Sequence, residues 1–461
     1  MERLVVIGGD AAGMSAASQA RRGRSADELE IIAFEKGNYT SYSACGIPYF
    51  VGGVVDEIDE LIVRRPETFK HDLDIDARLR HEVVDVDIEG RSGVVRDLDG
   101  GSDETFSFDQ LMVATGAVPI RPDLPEVDAR GIFGVQTLDD GLAIFKDLED
   151  AQRARAVVIG GGYIGLEMAE AFARRGLAVT LVEAAARPMS TLDADMGDWV
   201  TDALRSLDIQ VLLEEPVVAF DASGGRVVGV ITSERTLPTD IVVLGIGVRP
   251  NVELVKRAGL SIGPSGAVEV DQRMSTGVEG VWSAGDCAEK FHRVLRKPTT
   301  IALGTHANKE GRVAGTNIGG GYATFPGVVG TAVSKVCDLE VARTGLKETE
   351  AEEAGFQVIT VVVDSTTRAG YFPGAAPIKT KLIVEVPSGR LLGAQIVGKE
   401  GAAKRIDVLA TALWNEMKVD ELMNLDLSYA PPFGPVWDPV LITARKAWQR
   451  VENARLTAPS K

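Results

Sequence analysis

Apolar and polar positions in the first half of the chain fall into one unit that occurs twice. Arg3 to Ile7 is an apolar, β-branched run that predicts a strand, and Gly8, Gly9 and Gly13 turn the chain. A helix is predicted from about Met14 to Arg22, and a second strand, Glu30 to Phe34, ends at the acid Glu35. The unit returns at Ala156 to Ile159, with Gly160, Gly162 and Gly165, a helix to about Arg175 and a strand Ala178 to Val182 ending at Glu183. Two copies starting about 150 residues apart predict two dinucleotide-binding domains of doubly wound α/β type, not a short-period solenoid.

Strand patterns fill the stretch between the copies: Glu82 to Asp87, Gly93 to Leu98, Thr105 to Phe108 and the apolar Gln110 to Ala114. From about Pro326 the character changes. Strands at Gln357 to Val363 and Lys379 to Glu385 enclose a Gly/Pro-rich turn, Leu391 to Val397 follows, then a helix from about Ala402 to Asn415 and the tail SYAPPFGPVWDPV. This predicts a separate C-terminal α+β domain, with its boundary near Gly319–Gly321. The expected division is a first nucleotide-binding domain over 1–115 and 253–325, a second over 116–252, and a C-terminal domain over 326–461.

Composition narrows the partners. With 461 residues the chain exceeds what one core holds, and its 45% apolar and 25% charged residues are ordinary for a globular protein. A balance of 67 acids against 49 bases, net −18, argues against a nucleic-acid partner. Bound dinucleotides must therefore rely on local backbone dipoles. The apolar run in MERLVVIGGD is too short for a signal core, and no stretch reaches the length of a membrane span. Cys45, Cys287 and Cys337 are odd in number and far apart, which fits no disulfide framework and points to a reducing cytoplasm. No metal site is expected.

The first glycine loop, G-G-D-A-A-G, carries Asp10 where a middle glycine lets backbone approach a pyrophosphate. Its support is Glu35, placed to bond ribose hydroxyls; the alternative is a tight turn with a surface acid. The second loop has no such exception. Gly160, Gly162 and Gly165 match the fingerprint, and Glu183 would bond a free 2′-hydroxyl and repel a 2′-phosphate, favouring NADH, with Arg187 close enough to blur the preference. In T-G-V-E-G-V-W-S-A-G-D, Gly285–Asp286 places a carboxylate where a polyol such as a ribityl chain can donate to it. V-A-T-G-A, with Thr115 and Gly116, and G-I-G-V-R-P-N, with Gly247, are strand-end glycine turns of similar type. Each alone reads equally as a plain turn; together with two fingerprints they form a set.

Cys45 stands in S-Y-S-A-C-G-I-P-Y-F, just beyond the strand that ends at Glu35. It begins a helix-like stretch, where a helix dipole would lower the thiol pKa from about 8.5. At this point the sequence resembles, from end to end, the flavoprotein pyridine nucleotide–disulfide oxidoreductases. Two-cysteine members carry C-x-x-x-x-C and a C-terminal His–Glu pair. Phe50 stands where the second cysteine would be, and no histidine follows His306. The single-cysteine branch remains: coenzyme A-disulfide reductases, NADH-dependent persulfide reductases, and NADH oxidases and peroxidases. The oxidase and peroxidase group has a histidine in the first glycine loop, and the matching position is Ala11.

The resemblance to coenzyme A-disulfide reductases implies substrate contacts at Ser15, Gln19, Arg22 and Ser41, and Tyr371 and Tyr429 reaching the cysteine of the partner subunit in a homodimer. It implies FAD in the first nucleotide domain, with Gly8, Gly13, Glu35, Thr115, Gly116, Gly285 and Asp286. It implies NADH, with NADPH as the alternative, in the second, with Gly160, Gly162, Gly165, Glu183 and Gly247. Ala44, where the family often has Asn, and Trp437, where it can place a lysine, depart from the coenzyme A pattern. The implied activity is reduction of a small-molecule disulfide or persulfide through a mixed disulfide of Cys45. The alternatives are an NAD(P)H oxidase working through a Cys45 sulfenic acid, a flavin redox sensor or electron-transfer protein, and a reductase for an iron–sulfur partner. Cys287 and Cys337, the latter within a strand pattern, are expected to be buried packing.

Overall fold

The computed structural model describes residues 1–149 and 153–457, so the last four residues of the C-terminal domain lie outside it. The first five-stranded sheet is parallel, in the order Val281–Ser283, Gln110–Val113, Glu2–Ile7, Leu29–Glu35, Ile75–Leu79. Its centre is Leu4 to Val6, flanked on both sides and wholly buried, as continuous apolar runs in a covered parallel sheet require. The N-terminal strand stands at its centre, and the edge strand Val281–Ser283 returns to it from beyond the second sheet's strands. An antiparallel three-stranded sheet, His81–Asp87, Ser92–Asp97 and Asp103–Ser107, lies between its third and fourth strands in sequence.

A second parallel sheet runs Gln210–Leu212, Ala178–Val182, Arg155–Ile159, Ile241–Leu244, Ile132–Phe133. An antiparallel ribbon, Ala117–Pro119 with Val248–Pro250, joins the chain's exit from the first sheet to its return. The third body is an antiparallel sheet ordered Ala332–Val336, Leu339–Gly345, Leu391–Gly398, Pro377–Glu385, Val358–Thr366. Helices Ala402–Trp414 and Pro439–Thr457 share its apolar core. The molecule thus has two doubly wound α/β units and a C-terminal α+β unit. No described helix is long and apolar enough to cross a membrane.

Two departures from the sequence expectations have local causes. Cys337 is not within a strand: it sits in the turn between Ala332–Val336 and Leu339–Gly345 with φ +57°. The long helix Pro439–Thr457 follows a tail that reads as irregular. Asp438 starts it, its carboxylate accepting the Val440 N–H at 2.9 Å and its carbonyl the Ile442 N–H.

In the first unit, helix Ala11–Gly23 packs backbone to backbone on helix Gly304–Ile318. A Cβ at Gly311 or Gly315 would collide with the carbonyl oxygens of Ala12 and Ala16. So close a crossing buries the small side chains Ala12, Ala16, Ala17 and Ala20 and leaves one stripe of the first helix toward solvent.

Candidate active site

The first glycine loop is a rigid cradle. Gly8 has φ +106°, and a Cβ at Gly13 would strike the Gly8 carbonyl oxygen, so loop and helix meet as only glycine permits. Glu35, at the end of its strand, accepts the N–H groups of Gly9 at 2.7 Å and Gly37 at 2.6 Å. The second loop repeats this geometry. Gly160 has φ +95°, a Cβ at Gly165 would strike the Gly160 oxygen, and Glu183 accepts Gly161 N–H at 2.7 Å and Ala185 N–H at 2.8 Å. Arg187 is held by Asp198, Nε to Oδ1 2.6 Å, at the rim of a cleft of about 460 Å³ that Arg205 and Glu214 also line.

The two strand-end turns come together. Thr115 Oγ1 donates to the Asn251 carbonyl at 2.6 Å, and Asn251 N–H donates to the Gly116 carbonyl at 2.9 Å. Gly116 and Gly247 both have positive φ, and Ile120 N–H donates to the Gly247 carbonyl. Gly285 (φ +84°) turns beneath helix Ala11–Gly23, with Ala12 Cβ too near for any side chain. The next residue, Asp286, has a buried Oδ1 with no partner. A buried acceptor left open costs free energy unless a donor arrives, so the cradle fits a polyol-bearing dinucleotide such as FAD.

The cysteine segment is strapped to the first loop. Gly9 carbonyl accepts both the Thr40 hydroxyl and the Ser41 N–H, and Asp10 Oδ1 accepts the Tyr42 N–H at 3.2 Å. Ser41 itself holds φ +50°, an unusual value for a side-chain-bearing residue. A short 3₁₀ turn, Ala44–Gly46, carries Cys45 into helix Ile47–Val51. That helix buries Ile47, Phe50 and Val51 in the same core as Leu166, Ala169 and Phe172 of the second unit. Phe50, at the place of a second cysteine, is packing: it is buried and stacks on Phe145 with ring centroids 4.8 Å apart.

The expected activation of Cys45 by a helix dipole is corrected. The helix has five residues, and the side chains that reach the thiol are acids, opposed by one backbone hydrogen bond that lowers it. Burial and then the Glu167 carboxylate, with smaller effects from Asp10 and Asp286, push the Cys45 thiol up. Solvent still reaches the residue. Asp10 is itself pushed up to about 6, chiefly by burial, against the Tyr42 N–H that holds its charged form. Glu167, in the helix Tyr163–Arg174 that opens at the second glycine loop, is also pushed up by burial and accepts the Ser334 hydroxyl at 2.9 Å. Sequence reasoning missed Glu167. The one signal was Glu167, with Glu170, as one of two acids in a largely apolar helical stretch directly after a fingerprint.

Ser15, Gln19 and Arg22 form the solvent stripe of helix Ala11–Gly23. Ser15 Oγ donates to Asn308 Oδ1 at 2.8 Å, and Arg22 to Gln19 Oε1 at 3.1 Å. Tyr371 and Tyr429 stand on two loops joined by Ala369 N–H to the Pro431 carbonyl. The Tyr429 phenol is pushed up by desolvation and then by a hydrogen bond with Tyr371. Among the described residues no hydrogen bond links either tyrosine to Cys45. Both are exposed, as are Phe433, Val436 and Trp437. Cys287 and Cys337 are buried.

Comparison with known proteins places this geometry among relatives. The family described as pyridine nucleotide-disulphide oxidoreductase matches residues 2–311, and its dimerisation domain matches residues 331–439. The chain is 38% identical over 445 residues to an NAD(P)H coenzyme A polysulfide/persulfide reductase of Pyrococcus horikoshii, covering 96% of this chain and 98% of that protein. It is 36% identical to an NADH oxidase of Methanocaldococcus jannaschii, covering 98% of this chain and 100% of the other. The solved structure of an NAD-dependent persulfide reductase from A. fulgidus superposes with a TM-score of 0.94 at 39% identity, over 98% of this chain and 84% of that one.

Proposed function

Because the chain belongs to the pyridine nucleotide-disulphide oxidoreductases and is an FAD-dependent oxidoreductase of NAD(P)H, we propose that it reduces a small-molecule disulfide or persulfide through Cys45. The observation that carries this reading is the single exposed cysteine, strapped by Thr40, Ser41 and Tyr42 to a dinucleotide cradle and backed by Phe50 where a second thiol would stand. The domains are taken as 1–115 with 253–325 for FAD, 116–252 for the nicotinamide nucleotide, and 326–461 for dimerisation. Gly8, Gly13, Glu35, Thr115, Gly116, Gly285 and Asp286 hold FAD, with Asp286 Oδ1 accepting from the polyol. Gly160, Gly162, Gly165, Glu183 and Gly247 hold the nicotinamide nucleotide, and Glu183 favours NADH.

FAD, when bound, supplies the two-electron relay between nicotinamide and sulfur. Cys45 rests as a mixed disulfide with a small thiol, an uncharged form that the acids Glu167, Asp10 and Asp286 do not penalise as they do a thiolate. Two electrons break that S–S bond and release the small thiolate. The Cys45 thiolate then attacks one sulfur of the incoming disulfide or persulfide, forming a new mixed disulfide and expelling the other sulfur as a thiolate or hydrosulfide, which takes a proton. Ser15, Gln19, Arg22 and Ser41 position the small thiol, and a partner subunit presents Tyr371 and Tyr429 to orient or protonate the leaving sulfur. Relatives named coenzyme A disulfide reductase support a coenzyme A-like thiol, and three free cysteines fit a reducing cytoplasm.

Cys45→Ser is expected to retain FAD and lose NADH-dependent reduction of coenzyme A disulfide and persulfides; retained turnover overturns the reading. Mass spectrometry of the thiol that reductant releases from Cys45 identifies the small thiol. A second reading, NADH oxidase, is carried by relatives of that name. Oxygen consumption that outpaces thiol release would favour it.

A further inference from the structure

Beneath the Gly285 turn lies a pair of opposite charges with no part in the sulfur chemistry. Lys290 and Glu310 side chains are both wholly buried, Nζ to Oε2 3.4 Å. Glu310 Oε2 accepts the Gly285 N–H at 2.9 Å, while Lys290 Nζ donates to the carbonyls of Gly285 at 2.8 Å and Ala288 at 3.1 Å. The peptides on both sides of Gly285 Cα are therefore gripped by one ion pair. Glu310 Oε1 and the Asp286 Oδ1 just beyond the gripped peptide are buried without partners. His306, one helical turn before Glu310, is pushed down to about 4 by burial and by Lys290, so it adds no charge to the cluster near neutral pH.

Taking two charges out of water is expensive, and an apolar pair of similar size often gives equal stability. Here the charges are spent on backbone that only a turn of fixed shape can present. On the other side, Ala12 Cβ leaves no room for a side chain at Gly285. We propose that Lys290 and Glu310 are positioning residues: a buried clamp that fixes the Gly285–Asp286 turn and so aims the Asp286 carboxylate at the FAD polyol. The inference rests on the assignment of Asp286 to that polyol.

The test uses apoprotein prepared from the full chain and titrated with FAD by flavin fluorescence, with visible circular dichroism of the bound flavin and thermal unfolding of the apoprotein. The variants are Asp286→Ala, Glu310→Gln and the charge-neutral double variant Lys290→Met with Glu310→Gln. The double variant is expected to weaken FAD about tenfold or more and alter the flavin dichroism, with an apoprotein midpoint near that of the parent. Glu310→Gln alone retains an acceptor for Gly285 N–H and carries the comparison if the double variant does not fold; it is expected to weaken FAD and alter the dichroism in the same direction. Parental affinity and dichroism in these variants, with Asp286→Ala weakened, overturn the clamp and leave the Asp286 assignment standing. Parental affinity in Asp286→Ala, which has no acceptor left, overturns that assignment, and the clamp's route with it.

Discussion

At Gly9 and at Gly161 a backbone N–H donates to a carboxylate oxygen 2.7 Å away, Glu35 in one unit and Glu183 in the other. The first and last glycines of each loop do the same steric work in both. The middle position does not. Gly162 has ordinary backbone angles and room for a Cβ, which would meet only the Gly245 carbonyl at 3.6 Å. At the corresponding place Asp10 ties the loop to Tyr42 and hence to the cysteine segment. The outer glycines are demanded by the fold, whereas the middle residue is free to serve whatever lies above the loop.

The largest test strikes the shared part. Gly13→Ala and Gly165→Ala each drive a Cβ into a carbonyl oxygen of the same chain, so each is expected to lower unfolding stability by more than ~3 kcal/mol in urea titrations. A near-parental midpoint in either would show that loop to be looser than its counterpart.

The next tests strike the difference. The folded pKa of Asp10, about 6, lies above its ordinary value of 3.8, so the native state holds a proton that the unfolded chain releases. Stability from this group is present below pH ~4 and is lost as pH rises through ~6. Asp10→Asn is expected to remove that slope and to gain about 2–3 kcal/mol on the parent apoprotein at pH 7.5 relative to pH 4. An unchanged slope would mean that another group sets it. In the second loop, Gly162→Asp is expected to fold normally and raise the Kd for NADH about tenfold, with Gly162→Ala near parental. Equal effects of the two would point to bulk rather than charge.

The strap makes the cysteine answer to residues far off in sequence, and this is where reading the chain stopped short. The glycine units and the three bodies of sheet were legible because β-branched runs and glycine spacing are local signals. Asp438–Pro439 was a local signal too, a helix start hidden behind a proline-rich tail. Cys337 looked like strand because its neighbours are, though its left-handed turn depends on which strands pair. The thiol's surroundings were not local at all: Glu167 stands more than a hundred residues from Cys45, and only packing of Ile47, Phe50 and Val51 on its helix brings it near. Glu167→Gln is accordingly expected to speed alkylation of reduced Cys45 about threefold at pH 8, read by mass spectrometry. No change would leave burial, with the lesser effects of Asp10 and Asp286, as the cause.

The smallest effect concerns what each loop's acid excludes. Both oxygens of Glu183 already accept backbone N–H groups, so the carboxylate is fixed, and in the proposed reading it stands where a 2′-phosphate would lie. Arg187 is the nearby cation that would favour such a phosphate, but Asp198 holds it 2.6 Å away at the cleft rim. That pair is half exposed and screened, so releasing it changes little while Glu183 remains. Asp198→Asn is expected to raise the NADPH-to-NADH ratio of kcat/KM only about twofold. Glu183→Ala should raise it more, and the two together more than either. A large effect of Asp198→Asn alone would move the choice of nucleotide from the fingerprint acid, which both units share, to a salt bridge that only the second unit has.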